Sequence, residues 1–180
     1  MRNAGRTSLL KLAFSGMCLA LCLLLPFLTG NSRELGNVLC LMHIPVLLVG
    51  ILCGWQYGMA VGAVAPLLRS ALFSMPPFPT VALPMAAELA VYGLMTGVLC
   101  RLLPKKTVWL YPNLVLSLMA GRIVSLLVKY AMYEMGKTQF SLTAAAKLTF
   151  VTTIPGVVLQ LLLVPTLVLA LRTGKWMRDE

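Results

Sequence analysis

Six side chains able to carry charge or make strong hydrogen bonds stand inside long apolar stretches of this 180-residue chain: His43, Arg69, Glu88, Tyr92, Arg122 and Gln160. Such a set is open to proton transfer, to metal ligation, or to hydrogen bonding with a guest or with itself. Proton-transfer catalysis by Glu88 or His43 needs a second group at supporting spacing, and none is visible. A metal needs further ligands, and no HxxxH, HExxH or carboxylate cluster accompanies His43. A lone histidine of this kind is expected to act as an interior hydrogen-bonding group. Cys18, Cys22, Cys40, Cys53 and Cys100 form no CxxC pair and fall in apolar segments, which points to packing. No GxxxxGK[ST] loop, G-x-S-x-G elbow or paired-carboxylate site occurs. We therefore expect no catalytic residue, no metal and no cofactor, and any ATPase that powers this chain is a separate polypeptide.

Hydrogen bonding remains. Tyr92 follows Glu88 by one helical turn, while Ser125 and Lys129 continue the face of Arg122 at helical spacing. Two readings stand for Glu88 and Arg122. They form a buried pair that fixes helix register, or they face a polar ligand. The second is favoured because the polar groups come from at least four helices, more than one register pair requires.

The elements that position these residues follow from composition. The chain is 59% hydrophobic and only 11% charged, against roughly 25% charged in soluble domains. Fifteen basic and five acidic residues cannot solvate the exterior of a soluble domain this long, whereas a bilayer removes the need. The formal charge of +10 does not signal nucleic acid, since no polar surface is left to hold a basic groove. We expect an all-α integral membrane protein in one transmembrane domain over residues 1–180, with no room for a separate extramembrane domain.

A crossing of roughly 30 Å takes about 20 helical residues. Six spans are expected at about 9–29, 36–53, 56–73, 81–103, 108–133 and 144–171. The 34 residues from Leu35 to Leu68 lack Asp, Glu, Lys and Arg. They are too long for one crossing, so the break is set at Gly54-Trp55-Gln56-Tyr57-Gly58. Met75-Pro76-Pro77-Phe78-Pro79 stops the third helix, because proline lacks a donor and clashes with the preceding turn. Arg2, Arg6 and Lys11 ahead of Leu12–Leu28 resemble the start of a signal peptide. However, the apolar run is long and no A-x-A-like site follows, so a retained first helix is expected. With the N-terminus inside, that side holds Arg2, Arg6, Lys11, Arg101, Lys105, Lys106, Arg172, Lys175 and Arg178. The other side holds Arg33 and Lys137, with Lys129 and Lys147 near the border. This asymmetry and an even span count put both termini in the cytoplasm.

Small residues recur every four positions: Gly16 with Ala20, then Gly50, Gly54, Gly58 and Gly62, then Gly93 with Gly97. Such spacing lets helix backbones approach closely in lipid. Most of these are expected to pack internally, with Gly16 and Ala20 open as an outward docking face. Pro26, Pro45, Pro66, Pro155 and Pro165 bend helices or free carbonyls, as is tolerated beside a cavity or packed protein.

Several segments in order carry a family resemblance: Leu25-Pro26-Phe27, Met42-His43-Ile44-Pro45-Val46-Leu47-Leu48, and Tyr57-Gly58 through Gly62 with Ala65-Pro66-Leu67-Leu68. They continue with Met75-Pro76-Pro77, Glu88-Leu89-Ala90-Val91-Tyr92-Gly93-Leu94, Ala120-Gly121-Arg122-Ile123-Val124, and Pro155-Gly156 with Gln160-Leu161 and Pro165. Together they resemble substrate-binding S components of energy-coupling factor (ECF) vitamin transporters over nearly the whole chain. The resemblance implies six helices and an outward-facing solute pocket. It also implies assembly with a transmembrane T protein and two cytoplasmic ATPases in a prokaryotic plasma membrane. It further implies toppling of the subunit in the bilayer during import. Small residues of helix one contact the T protein in that family; the matching positions are Gly16 and Ala20, in G-x-x-x-A form. The loop near Asn31–Asn37 would gate the pocket. Two buried arginines against one glutamate favour a carboxylate or electron-rich ligand such as pantothenate. Riboflavin, pyridoxine-like compounds, cobalamin and queuine-like bases stay open.

Three rivals differ in class. A membrane enzyme needs a second catalytic group. A structural or assembly protein needs no convergent interior charge. A secondary transporter works without ATPases, and the two halves show no convincing internal repeat.

Overall fold

The structure is a computed structural model, and it describes residues 2–29, 40–104, 107–136, 149 and 151–173. Among the described residues there are six α-helices and no strand: α1 Arg2–Leu24, α2 His43–Cys53, α3 Trp55–Phe73, α4 Ala82–Leu102, α5 Leu110–Glu134 and α6 Ile154–Thr173. Short 3-10 turns cover Leu25–Thr29 and Thr107–Trp109.

Among the described residues, four segments are long and apolar enough to cross a bilayer: Ser8–Phe27, Ala82–Leu102, Thr107–Glu134 and Ile154–Leu171. Their polarity is inverted relative to a soluble bundle. On α5, Leu116, Ile123 and Leu127 are exposed, whereas Asn113, Ser117, Arg122 and Ser125 are buried. Water would reward the opposite arrangement; lipid rewards this one. The chain is an α-helical integral membrane protein.

The helix ends have local causes. Proline in the 3-10 segment Leu25–Thr29 cannot donate to the α-helical ladder, so α1 gives way at Leu24 to a tighter turn containing Pro26. Only Gly54 separates α2 from α3, at φ 105°, a conformation that L side chains rarely adopt. The expected second span from 36 overlaps residues outside those described, and the described helix begins at His43. The sixth helix is described from Ile154, with turns at residues 151–153, and the expected start at 144 lies outside the described residues. Pro155 suits its first turn, because the missing N–H there has no intrahelical acceptor to serve. The gating loop near Asn31–Asn37 also lies outside the described residues.

Every residue of α2 is buried. It packs against α1, α3, α4 and α6, while α4 lies between α3 and α5, and α6 adjoins α5. Glycines set the closest approaches. A Cβ at Gly93 would run into the Gly58 carbonyl, one at Gly62 into the Leu89 carbonyl, and one at Gly97 into the backbone of Trp55. These contacts fix α3 and α4 as antiparallel neighbours in one register. Gly16 is different: nothing lies within 4 Å of a Cβ built there, and both it and Ala20 are exposed on α1.

Candidate functional site

Helices α2, α4 and α6 begin, and α5 ends, at the same end of the bundle, and the polar residues gather there. Tyr92 is fully buried, and its hydroxyl donates to Glu88 Oε1 at 2.6 Å, one turn earlier on α4. Gly121 makes this possible, since a Cβ there would collide with the Tyr92 ring and approach the Glu88 carbonyl. The close α4–α5 contact also brings Arg122, the next residue, alongside Tyr92. Its guanidinium approaches the same hydroxyl.

Arg122 Nη1 donates to the Thr149 carbonyl at 2.8 Å, and Lys129 Nζ to Thr149 Oγ1 at 2.7 Å. Thr153 Oγ1 also donates to the Thr149 carbonyl, at 2.8 Å. Opposite α5, the imidazole of His43 lies 5.5 Å from the Tyr92 ring. Its backbone N–H donates to the Cys40 carbonyl, which also accepts a long 3.4 Å bond from Gln160 Nε2. Glu88 and Arg122 both act electrostatically on Cys40, His43, Tyr92 and Lys129. Thus α2, α4, α5 and α6 contribute to one polar group, which contains His43, Glu88, Tyr92, Arg122 and Gln160 of the residues picked from sequence.

Arg69 does not join that group through its described bonds. Its Nη1 donates to the Leu23 carbonyl at 2.9 Å, and its guanidinium lies 5.4 Å from the Phe27 ring centroid and 5.9 Å from that of Phe73. Pro26, three residues beyond Leu23, has no N–H to offer the Leu23 carbonyl, and Arg69 supplies a charged donor to it. The α3–α4 register places Arg69 two turns beyond Gly62, roughly 10 Å along the axis from the level of Leu89. Its bonds there tie α3 to the end of α1.

Sequence reading missed a second buried network nearer the other end. Asn113 Nδ2 donates to the Thr96 carbonyl at 3.2 Å and Asn113 Oδ1 accepts from Ser117 Oγ at 3.2 Å. Thr96 Oγ1 returns to the Tyr92 carbonyl at 2.7 Å. Asn113 stood in an apolar stretch, so the rule that picked out Gln160 would have found it. Thr149 gave no comparable signal, because its backbone carbonyl does much of the bonding.

No group of His, Cys, Asp and Glu able to hold a metal ion occurs among the described residues. The set instead offers fixed donors and acceptors of both charges, as binding a polar solute requires. Comparison with families decides the class: the family model described as ECF transporter, substrate-specific component, matches residues 10–170. The chain belongs to this family. It is a membrane-embedded substrate-binding subunit of an ECF importer, in a family of transporter subunits rather than enzymes. Searches of curated proteins and of solved structures each gave no match.

Proposed function

We propose that this S component captures one water-soluble vitamin or related micronutrient at the extracellular end of its bundle. It then delivers the solute inward with a T protein and two cytoplasmic ATPases, in the plasma membrane of a prokaryote. The observation carrying this reading is the convergence of polar side chains from α2, α4, α5 and α6 at one end of a lipid-facing bundle. Charged groups at membrane depth cost roughly 2.5–3.5 kcal/mol each by insertion scales, so a cluster needs a use. In this reading six helices cross, both termini are cytoplasmic by the charge asymmetry, and the cluster lies in the outer half. The exposed Gly16 and Ala20 are the docking face for the T protein, since small residues allow a partner helix close approach.

Pantothenate is the first ligand to test. The two-arginine argument changes, because Arg69 is engaged by Leu23, Phe27 and Phe73. Lys129, sharing Thr149 with Arg122, takes its place as the second cation. Riboflavin, pyridoxine-like compounds, cobalamin and queuine-like bases complete the panel. Purification from native membrane tests the whole reading, with mass spectrometry of the T protein, ATPases and vitamin that accompany the chain. A chain that recruits no ATPase and retains no vitamin contradicts it.

One observation favours a rival in which the cluster only holds helices together: Arg122 and Lys129 already bond Thr149. A double-mutant cycle on Glu88 and Arg122 separates the two. Coupling in stability without loss of binding supports the rival, and coupling in affinity supports capture.

A further inference from the structure

Four buried polar atoms have no hydrogen-bond partner among the described residues: His43 Nδ1, Arg122 Nε, Ser125 Oγ and Gln160 Oε1. Their residues are 5%, 5%, 1% and 1% exposed. Buried polar atoms are nearly always satisfied, so four orphans in one neighbourhood point to a ligand. Their types are informative. Arg122 Nε–H can only donate, Gln160 Oε1 can only accept, and Ser125 Oγ can do either.

Arg122, Ser125 and Lys129 follow one another on a single face of α5. Arg122 spends Nη1 on the Thr149 carbonyl, and Lys129 spends one N–H on Thr149 Oγ1. Glu88, the carboxylate of the cluster, already accepts from Tyr92. Among the described residues of the cluster, two cationic side chains, Arg122 and Lys129, stand against one carboxylate, Glu88, an excess of one positive charge. A buried charge needs a partner.

We propose that Arg122, Ser125 and Lys129 form an anion subsite for the carboxylate of a singly charged solute. Gln160 Oε1 accepts from a hydroxyl or amide N–H on the same molecule, and His43 Nδ1 bonds its polar body. The assignment rests on the capture reading and narrows its ligand to a monocarboxylate bearing a hydrogen-bond donor.

The test is calorimetric titration of the full chain in detergent micelles with matched probes. These are pantothenate with pantothenol and biotin with its alcohol, with riboflavin as an uncharged probe. One carboxylate is expected to bind at least about 100-fold tighter than its neutral partner, as loss of charge-assisted bonds implies. Ser125→Ala and Lys129→Met should each weaken that carboxylate about tenfold and change the neutral partner less than about threefold. Only variants whose elution and melting match the parent are compared, and Arg122→Lys, expected to lose about tenfold by lacking the guanidinium fork, is the reserve. A neutral compound binding as tightly as any carboxylate, or full carboxylate affinity in both variants, overturns the subsite and leaves capture standing. Absence of binding by every carboxylate overturns the subsite, and capture falls with it when riboflavin, pyridoxine, cobalamin and queuine also fail to bind.

Discussion

The Tyr92 hydroxyl donates a 2.6 Å hydrogen bond to Glu88 Oε1 on the same helix, under a ring that packs directly against Gly121 of α5. One bond thereby joins the orientation of the carboxylate to the seating of the neighbouring helix that carries Arg122. Tyr92→Phe keeps the ring and deletes the donor. Hydrogen bonds to charged groups are worth about 1.5–3 kcal/mol. Thermal unfolding in detergent should show a loss of up to about that size, and ligand affinity should fall about tenfold as the carboxylate loses its fixed direction. Unchanged melting and affinity would mean that the bond positions nothing.

Arg69→Met offers a contrast. It removes the donor to the Leu23 carbonyl and the cation between Phe27 and Phe73. Stability should drop by about 1–3 kcal/mol, the range for a charge-assisted bond plus a partly desolvated cation–π contact. Ligand affinity should stay within about twofold. A large affinity loss with normal melting would return Arg69 to the binding site.

Gly93 and Gly16 share the same four-residue spacing and meet opposite surroundings. Gly93→Ala drives a methyl group into the Gly58 carbonyl, and overpacking of this kind costs about 1–3 kcal/mol or more where backbone cannot yield. Gly16→Ala adds a methyl group to open space and should leave melting unchanged. Paired unfolding curves check both.

Docking gives a separate expectation for the outer face of α1. Gly16→Leu with Ala20→Leu should leave vitamin binding by the isolated subunit intact and abolish copurification of the T protein. Recovery of the complete complex from this double variant would move the docking surface elsewhere.

How much could be read from sequence depended on whether a residue's partner was a side chain or backbone. Helical, membrane-embedded character followed from apolar run lengths and scarce charge. His43, Glu88, Tyr92, Arg122 and Gln160 were visible because polar side chains are conspicuous in apolar stretches. Arg69 is equally conspicuous in the sequence, but neither the Leu23 carbonyl nor the Phe27–Phe73 pair that it meets can be read from spacing. The carbonyl of Thr149, which anchors Arg122, was invisible for the same reason. Glycine spacing marked places where helices could touch without saying which ones do. Gly58, Gly62 and Gly93 turn inward, while Gly16 turns out.

The central claim is that these gathered polar groups hold a small guest. Native mass spectrometry of the chain released gently from its membrane tests it most directly. The account predicts a 1:1 adduct with the mass of a vitamin-class monoanion, absent from Arg122→Ala. Bare protein from both, or an equal adduct on each, would contradict it.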